Sequence, residues 1–99
     1  MVEEEIIEAL GLLGSPDAVE PLTKLLTSPR ALTRRASAKA LALIGDPRAI
    51  QPLVEATKVP GDPDLRRAAV QALRQLEASE AADVIADALF DPFPSVRIA

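Results

Sequence analysis

The stretch GSPDAVEPL, Gly14–Leu22, returns 31 residues later as GDPRAIQPL, Gly45–Leu53. A third and more divergent copy, EASEAADVI, occupies Glu77–Ile85 after 32 more residues. A fixed period of this length is the signature of stacked repeats, which bury a continuous core between neighbouring units. The chain is therefore predicted to be a single repeat domain, residues 1–99, with repeat boundaries near residues 14, 45 and 77.

Segments with helical periodicity lie between these copies. From Thr33 to Ile44 and from Leu65 to Leu76, apolar and small residues recur at steps of three and four, as an amphipathic helix requires. Gly14 and Gly45 directly follow segments with this apolar pattern and are well placed to end the helices in the left-handed conformation. Helices are predicted over residues 2–13, 16–27, 31–44, 47–58, 64–76 and 79–90, with the start of another at 96–99.

Two prolines recur at the same place in the repeat. Pro21 and Pro52 each fall five residues into a predicted helix. A proline there either kinks the helix or forces a tight opening turn before the regular helix begins. Because it occurs at the same phase in two copies, we interpret it as part of the repeat's shape.

The composition excludes several classes of function. The chain has no cysteine and no histidine, which removes disulfides, thiolate metal sites and the commonest general base. A net charge of −4 argues against a nucleic-acid groove, which needs a basic footprint. The apolar runs are too short for a membrane span, and the acidic start is unlike a signal peptide. We predict a cytoplasmic protein that is not an enzyme, with no cofactor or metal and no nucleic-acid or membrane partner.

The remaining composition concerns packing and stability. Hydrophobic residues make up 48% of the chain but aromatic residues only 2%, so aliphatic side chains must form the core between closely packed helices. Arginines outnumber lysines eight to three, and asparagine is absent. This bias is of the kind reported for heat-adapted proteins, and it predicts a thermostable protein.

The repeat resembles a known family. The motif in Ala9–Leu22 and its copy in Ala40–Leu53 are similar to HEAT-like repeats of the phycobilisome (PBS) lyase type. Arg34, Arg66 and Arg97 stand where these repeats carry the arginine that opens their second helix. The resemblance implies an all-α fold: a right-handed α-solenoid, or alpha-alpha superhelix, of about three helix pairs with the last repeat incomplete.

The resemblance also implies a ladder of charge pairs along the stack. Arg34 and Arg66 are expected to pair with acidic residues near helix starts, such as Asp46 or Asp62. Interior pairs of this sort fix the register of packed elements more than they add stability. Glu3 replaces the arginine in the first helix, so the ladder is expected to be missing there.

A binding surface is implied on the concave side, which the first, third and fifth helices would line. Its outward positions change from acidic to basic along the stack: Glu4, Glu8, Gly11, Arg35, Lys39, Ala42, Arg67, Gln71 and Arg74. Such a gradient steers a charged partner or favours head-to-tail contact between copies, although it also fits an ordinary solvated helix face. The partner contacts predicted on this face are Arg35, Lys39, Arg67, Gln71 and Arg74.

The only aromatic residues, Phe90 and Phe93, lie near the C-terminus. One interpretation is that Phe90 covers the core of the last helix pair. The other is that Phe90, Phe93, Val96 and Ile98 form an uncovered apolar edge for self-association.

Three functions fit these patterns. The first is a non-catalytic protein-interaction or scaffold module that presents its concave surface to a protein partner of unknown identity. The second is a self-assembling structural unit, a fragment or a designed protein, that forms a homo-oligomer through its open C-terminal edge. The third, implied by the resemblance, is an accessory subunit of an enzyme such as a bilin lyase.

Overall fold

The computed structural model describes residues 3–76 and 82–98, and every regular element in these ranges is helical. The fold is therefore all-α, as the sequence predicts. The α-helices are α1 (Glu3–Leu13), α2 (Val19–Leu25), α3 (Ala31–Ile44), α4 (Ile50–Ala56), α5 (Pro63–Gln75), α6 (Ala82–Asp87) and α7 (Pro94–Arg97). Short 3-10 turns occupy Pro16–Ala18, Pro47–Ala49 and Ala88–Phe90.

The helices form two rows. In the first row α1, α3, α5 and the short α7 pack side by side in chain order. In the second row, α2 packs against α3 and α4 against α5. This alternation is the arrangement of an α-solenoid, in which each repeat contacts only its neighbours. The right-handed sense of the superhelix stays a prediction.

Glycines end two helices of the first row. Gly14 and Gly45 have φ angles of 68° and 75°, in the left-handed region that side chains with a Cβ rarely adopt. The Gly45 N–H donates to the carbonyl oxygen of Leu41 at 3.1 Å, which satisfies one of the last carbonyl groups of α3. The prediction that these glycines cap the helices is confirmed.

The prolines of the second row shape the start of each helix. The chain first makes the 3-10 turns Pro16–Ala18 and Pro47–Ala49, and α2 and α4 begin only after them. Pro21 and Pro52 therefore lie in the first turn of a helix, where no backbone N–H is needed. The predicted opening turn is confirmed, whereas the predicted continuous helices 16–27 and 47–58 are wrong.

The C-terminal part departs from the predicted bounds in two places. The helix predicted at 79–90 is α6, Ala82–Asp87, followed by a 3-10 turn. The beginning of that predicted helix, most of the third repeat copy at Glu77–Ile85 and the boundary near residue 77 lie outside the described residues. The predicted start of a further helix is present as α7.

The core consists of aliphatic side chains from both rows. The leucines at its centre are fully buried: Leu22, Leu41, Leu53, Leu65 and Leu73. Each contributes about 1.5–3 kcal/mol by leaving water. No helix within the described ranges is long and apolar enough to cross a membrane.

Candidate protein-binding face

Charge pairs connect successive helices of the first row. Near the start of α3, Arg34 donates from Nε to Oδ2 of Asp62 at 2.9 Å and from NH1 to the carbonyl oxygen of Ser28 at 2.7 Å. Asp62 precedes α5, and its Oδ1 accepts the N–H of Leu65 at 3.1 Å, which caps that helix. The predicted pairing of Arg34 with Asp62 is confirmed.

The next pair lies between α5 and α7. Arg66 donates from Nε and NH2 to the two carboxylate oxygens of Asp91, at 2.7 and 3.1 Å, and from NH1 to the carbonyl oxygen of Val59 at 2.9 Å. These hydrogen bonds hold the pKa of Asp91 below its usual value, with a further contribution from the N–H of Phe93. They also raise the pKa of Arg66.

Arg66 therefore pairs with an acidic residue near a helix start, as predicted, but this residue is Asp91 and not one of the two examples named, Asp46 and Asp62. Asp46 binds Arg48 within its own turn, with a shortest distance of 2.9 Å. Asp62 forms its ion pair with Arg34 of α3. Asp91, in the loop before α7, takes the position instead.

A charge pair is also present between α1 and α3, with its signs exchanged. Glu3 accepts from Arg30 NH1 at 3.2 Å and from the hydroxyl of Thr33 at 2.9 Å. In the repeat register Glu3 takes the place of Arg34, and Arg30 takes the place of Asp62. The expectation that the ladder is missing at the first helix is wrong, because its acid and base are exchanged rather than lost.

The row presents a groove between α1 and α3. It has a volume of about 420 Å³ and combines walls of opposite charge, with Glu4 and Glu8 from α1 facing Arg35 and Lys39 from α3. Between the walls lie apolar side chains that remain unusually exposed: Leu12 is 70% exposed, Leu32 55% and Leu43 47%.

A second groove, of about 270 Å³, lies between α3 and α5. Lys39 lines both grooves, and Gln71 and Gln75 line the second one from α5. The structure therefore brings Arg35, Lys39 and Gln71 together along neighbouring grooves. Arg67 and Arg74 are exposed on α5 but line neither of these two grooves.

The guanidinium group of Arg35 is only partly satisfied. Its NH1 lies 3.5 Å from Oδ2 of Asp64, a long ion pair. Its Nε is buried and has no hydrogen-bond partner among the described residues. A buried donor without a partner costs about 1–3 kcal/mol.

Two residues of the predicted concave surface are buried, although Ala42 also lines the second groove. Gly11 and Ala42 are both buried between helices of the first row. A Cβ on Gly11 would lie 2.9 Å from the Cα of Ala40, so the absence of a side chain there allows α1 to approach α3 closely. The sequence pattern assigned these positions to the outward face because it gives the phase of each helix only approximately.

The C-terminal residues divide between interior and surface. Val96 is only 1% exposed and does not belong to an open edge. Phe90 is 85% exposed, so the interpretation that it covers the core is wrong. Ile98 is exposed and Phe93 is partly so, with the Phe93 ring centre 5.6 Å from the guanidinium carbon of Arg66. Self-association through Phe90, Phe93 and Ile98 stays a prediction.

Comparison with known families agrees with the repeat pattern. A family model described as HEAT repeats matches residues 1–74, and one described as PBS lyase HEAT-like repeat matches residues 65–91. No curated protein matches the chain. HEAT repeats commonly serve as scaffolds or protein-interaction modules, because their stacked helices present extended surfaces. With three-quarters of its length matched, the chain belongs to the HEAT repeat family.

Proposed function

We propose that this protein is a non-catalytic interaction module that binds a partner protein across the α1/α3/α5 face. The observation that carries the proposal is the groove between α1 and α3, which joins exposed leucines to walls of opposite charge. Grooves between helices are common docking sites, because an apolar floor supplies affinity and flanking charges select the partner.

The floor of the groove supplies the apolar part of the contact. Leu12, Leu32 and Leu43 are each about half exposed or more. Covering such side chains contributes about 25 cal/mol for each Å² removed from water. A partner that places an aliphatic or aromatic side chain between α1 and α3 would therefore bind through this floor.

The basic side of the face supplies the directional part. Arg35 lines the first groove with a side chain that is one-third exposed, and Lys39 borders both grooves. Gln71, Arg67 and Arg74 extend the same side along α5. A partner segment with carboxylates beside its apolar residues matches this arrangement, because a carboxylate accepts two hydrogen bonds from a guanidinium group.

The test compares two variants with equal changes of net charge. Lys39→Glu with Arg67→Glu reverses charge on the face, whereas Lys24→Glu with Lys58→Glu reverses it at exposed positions elsewhere. Lys39 is preferred to Arg35 because Arg35 already contacts Asp64. Partners captured by the wild-type protein are identified and titrated against both variants. The expected result is a loss of affinity of at least about tenfold for the face variant alone.

Circular dichroism establishes that both variants remain folded. If a captured protein binds the face variant as tightly as it binds the wild-type protein, then the α1/α3/α5 face is not its binding site. Equal weakening by both variants would mean that binding depends on net charge and not on this face.

A further inference from the structure

The two walls of the groove between α1 and α3 carry the same pattern of side chains with opposite charge. Along each helix, two charged residues one turn apart are followed after another turn by a leucine. The charged residues are acidic on α1 and basic on α3. Residues that correspond through the 31-residue period all line the groove: Glu4 and Arg35, Glu8 and Lys39, and Leu12 and Leu43.

The two walls run in the same direction. Glu3 accepts a hydrogen bond from Thr33 near the starts of the two helices, and Gly11 lies against Ala40 near their ends. Residues one period apart therefore lie at similar heights along the groove, within the reach of a long side chain. Each acidic group on one wall thus has a basic counterpart at a similar height on the other.

The middle charge of each wall is not used within the chain. Glu8 and Lys39 are both exposed, and within residues 3–76 and 82–98 neither makes a hydrogen bond or an ion pair. Glu4 is already engaged by Arg30 at 3.3 Å, and Arg35 lies 3.5 Å from Asp64. Glu8 and Lys39 are therefore the charges that a molecule in the groove would meet without breaking an existing pair.

The leucines of this groove are exposed on the face of the row. Leu43 belongs to α3, which packs against α1 on one side and α5 on the other, and yet it is 47% exposed. Leu12, at the corresponding position of α1, is 70% exposed. Helices that stack beside one another in the row leave these side chains open, so covering them requires a molecule that lies across the face.

We propose that two copies of this chain pair face to face through this groove, about a twofold axis parallel to α1 and α3. This axis places α1 of each copy over α3 of the other. In such a contact the same surface is used by both copies, and every interaction occurs twice. The contact joins the residues that are one period apart in the sequence: Glu8 to Lys39, Glu4 to Arg35, and Leu12 to Leu43.

Charge favours this axis over the alternative twofold arrangement. An axis perpendicular to the helices would place α1 over α1 and α3 over α3. Glu8 would then meet Glu8 and Lys39 would meet Lys39, and like charges in contact are unfavourable. Because a twofold contact closes on itself, association through the parallel axis stops at a dimer.

Helix α5 has the charge that suits the same arrangement. It lies beyond α3, on the side where α1 of the other copy is placed, and it presents the exposed Arg67. The acidic residue at its start, Asp64, already contacts Arg35. The acidic α1 of one copy is therefore received by a basic surface that extends from α3 towards α5 of the other.

The dimer occupies the groove that the proposed function assigns to a partner protein, so the partner has to displace the second copy. The inference does not rest on that function, because both surfaces of the contact belong to this chain. Partner binding by a chain that never dimerises would overturn the dimer and leave the proposed function standing.

Exchange of the two unused charges tests the contact. Glu8→Lys sets lysines against each other in the dimer, and Lys39→Glu sets glutamates against each other. Either variant alone is expected to dimerise at least about tenfold more weakly than the wild-type chain. The variant that carries both changes again joins opposite charges, so its dimerisation should return. Sedimentation equilibrium over a wide range of concentration gives the mass for comparison with the 10.5 kDa monomer.

A mixture of the single variants gives a second test of the same symmetry. In an equimolar mixture of Glu8→Lys and Lys39→Glu, the two lysines of one chain meet the two glutamates of the other. The mixture should therefore form a heterodimer, although each variant alone remains largely monomeric.

Matched variants separate the contact from general effects of charge and polarity. Glu20→Lys and Lys24→Glu make the same charge changes at exposed positions of α2 and should leave dimerisation unchanged. Leu12→Asp should abolish dimerisation, whereas Leu89→Asp, at a side chain that is 62% exposed outside the groove, should not. Circular dichroism verifies that each variant keeps its helices.

The proposal is overturned if the wild-type chain is monomeric up to millimolar concentration, or if it associates beyond a dimer. It is overturned equally if the folded single variants dimerise as the wild-type chain does, or if neither the double variant nor the mixture regains the dimer. Equal weakening by the α2 variants would also overturn it, because association would then depend on net charge and not on this groove.

Discussion

Two junctions of the first row, α1–α3 and α5–α7, each contain a charge pair at the same register position. The two pairs differ in how far they are buried. At the first, Glu3 meets Arg30, and their side chains are 30% and 45% exposed. At the second, Arg66 meets Asp91, and each side chain is only 10% exposed. An exposed ion pair contributes about 0–1 kcal/mol, whereas breaking a buried one by removing a partner costs about 3–5 kcal/mol.

The difference shows that the repeat preserves the position of a charge pair. It does not preserve which partner is the acid, or how much the pair contributes to stability. The α1–α3 junction depends on close helix contact at Gly11, and its charge pair lies at the edge. The α5–α7 junction involves a short helix of four residues, and the buried pair anchors it. A charge pair is therefore expected to contribute most to stability at the junction where the apolar contact is smallest.

The largest effect is expected from Arg66→Met. This change keeps most of the side-chain volume but leaves the Asp91 carboxylate and the Val59 carbonyl without their donor. We expect a loss of about 3 kcal/mol in the free energy of unfolding, measured by urea denaturation. The matched variant Arg30→Met should cost less than about 1 kcal/mol.

Similar losses for Arg66→Met and Arg30→Met would show that the two junctions do not differ as their burial indicates. A far-ultraviolet circular dichroism spectrum for each variant separates loss of α7 alone from unfolding of the whole chain.

A smaller effect is expected from Gly11→Ala. The added methyl group would approach the Ala40 backbone to 2.9 Å, so α1 must move away from α3. Such overpacking outweighs the better helix propensity of alanine, and we expect a net loss of about 1–2 kcal/mol. Ala42→Gly, at the equivalent position of α3, is the control and should cost only about 1 kcal/mol through propensity. A gain in stability for Gly11→Ala would mean that α1 can move away from α3 without a cost in free energy.

The smallest effect is expected in the pH dependence of stability. Because Arg66 lowers the pKa of Asp91 in the folded protein, the ionised carboxylate stabilises the fold. That contribution is complete above the ordinary aspartate pKa of about 3.9 and is lost as pH falls through the lowered value. Asp91→Asn should therefore be less stable than the wild-type chain at neutral pH, and the difference should narrow in acid.

Urea denaturation at neutral pH and at several acid pH values measures this narrowing. With Arg66→Met as the background, the same Asp91→Asn change should show much less narrowing, because the main donor that lowers the pKa of Asp91 is gone and the Phe93 N–H remains. A difference that stays constant with pH in the wild-type background would contradict the assigned cause.

The sequence predicts the local structure of the repeat well, for reasons that are themselves local. Gly14 and Gly45 end helices because only the left-handed conformation turns the chain there. Pro21 and Pro52 require an opening turn because proline cannot donate within a helix. Both features depend on a few neighbouring residues, so they can be read from the chain directly.

The partners of the charged residues depend instead on tertiary structure. Glu3 finds Arg30 from a loop 27 residues away, and nothing in the repeat motif marks that arginine as a substitute for an acid. Asp91 was not predicted as the partner of Arg66, since the loop before α7 differs in sequence from the earlier loops. The burial of Gly11 depends on the distance between two helices, which periodicity does not give.

Asp62 has a consequence for how the chain folds and unfolds. One carboxylate oxygen starts α5 by accepting the Leu65 N–H, and the other holds Arg34 of α3. Fraying of the first turn of α5 is therefore expected to weaken the contact with Arg34 of α3 as well. In a linear array of repeats, where stability is a sum of unit and interface terms, such sharing strengthens the coupling between units. The repeats on either side of this residue should then melt as one cooperative block rather than one after another.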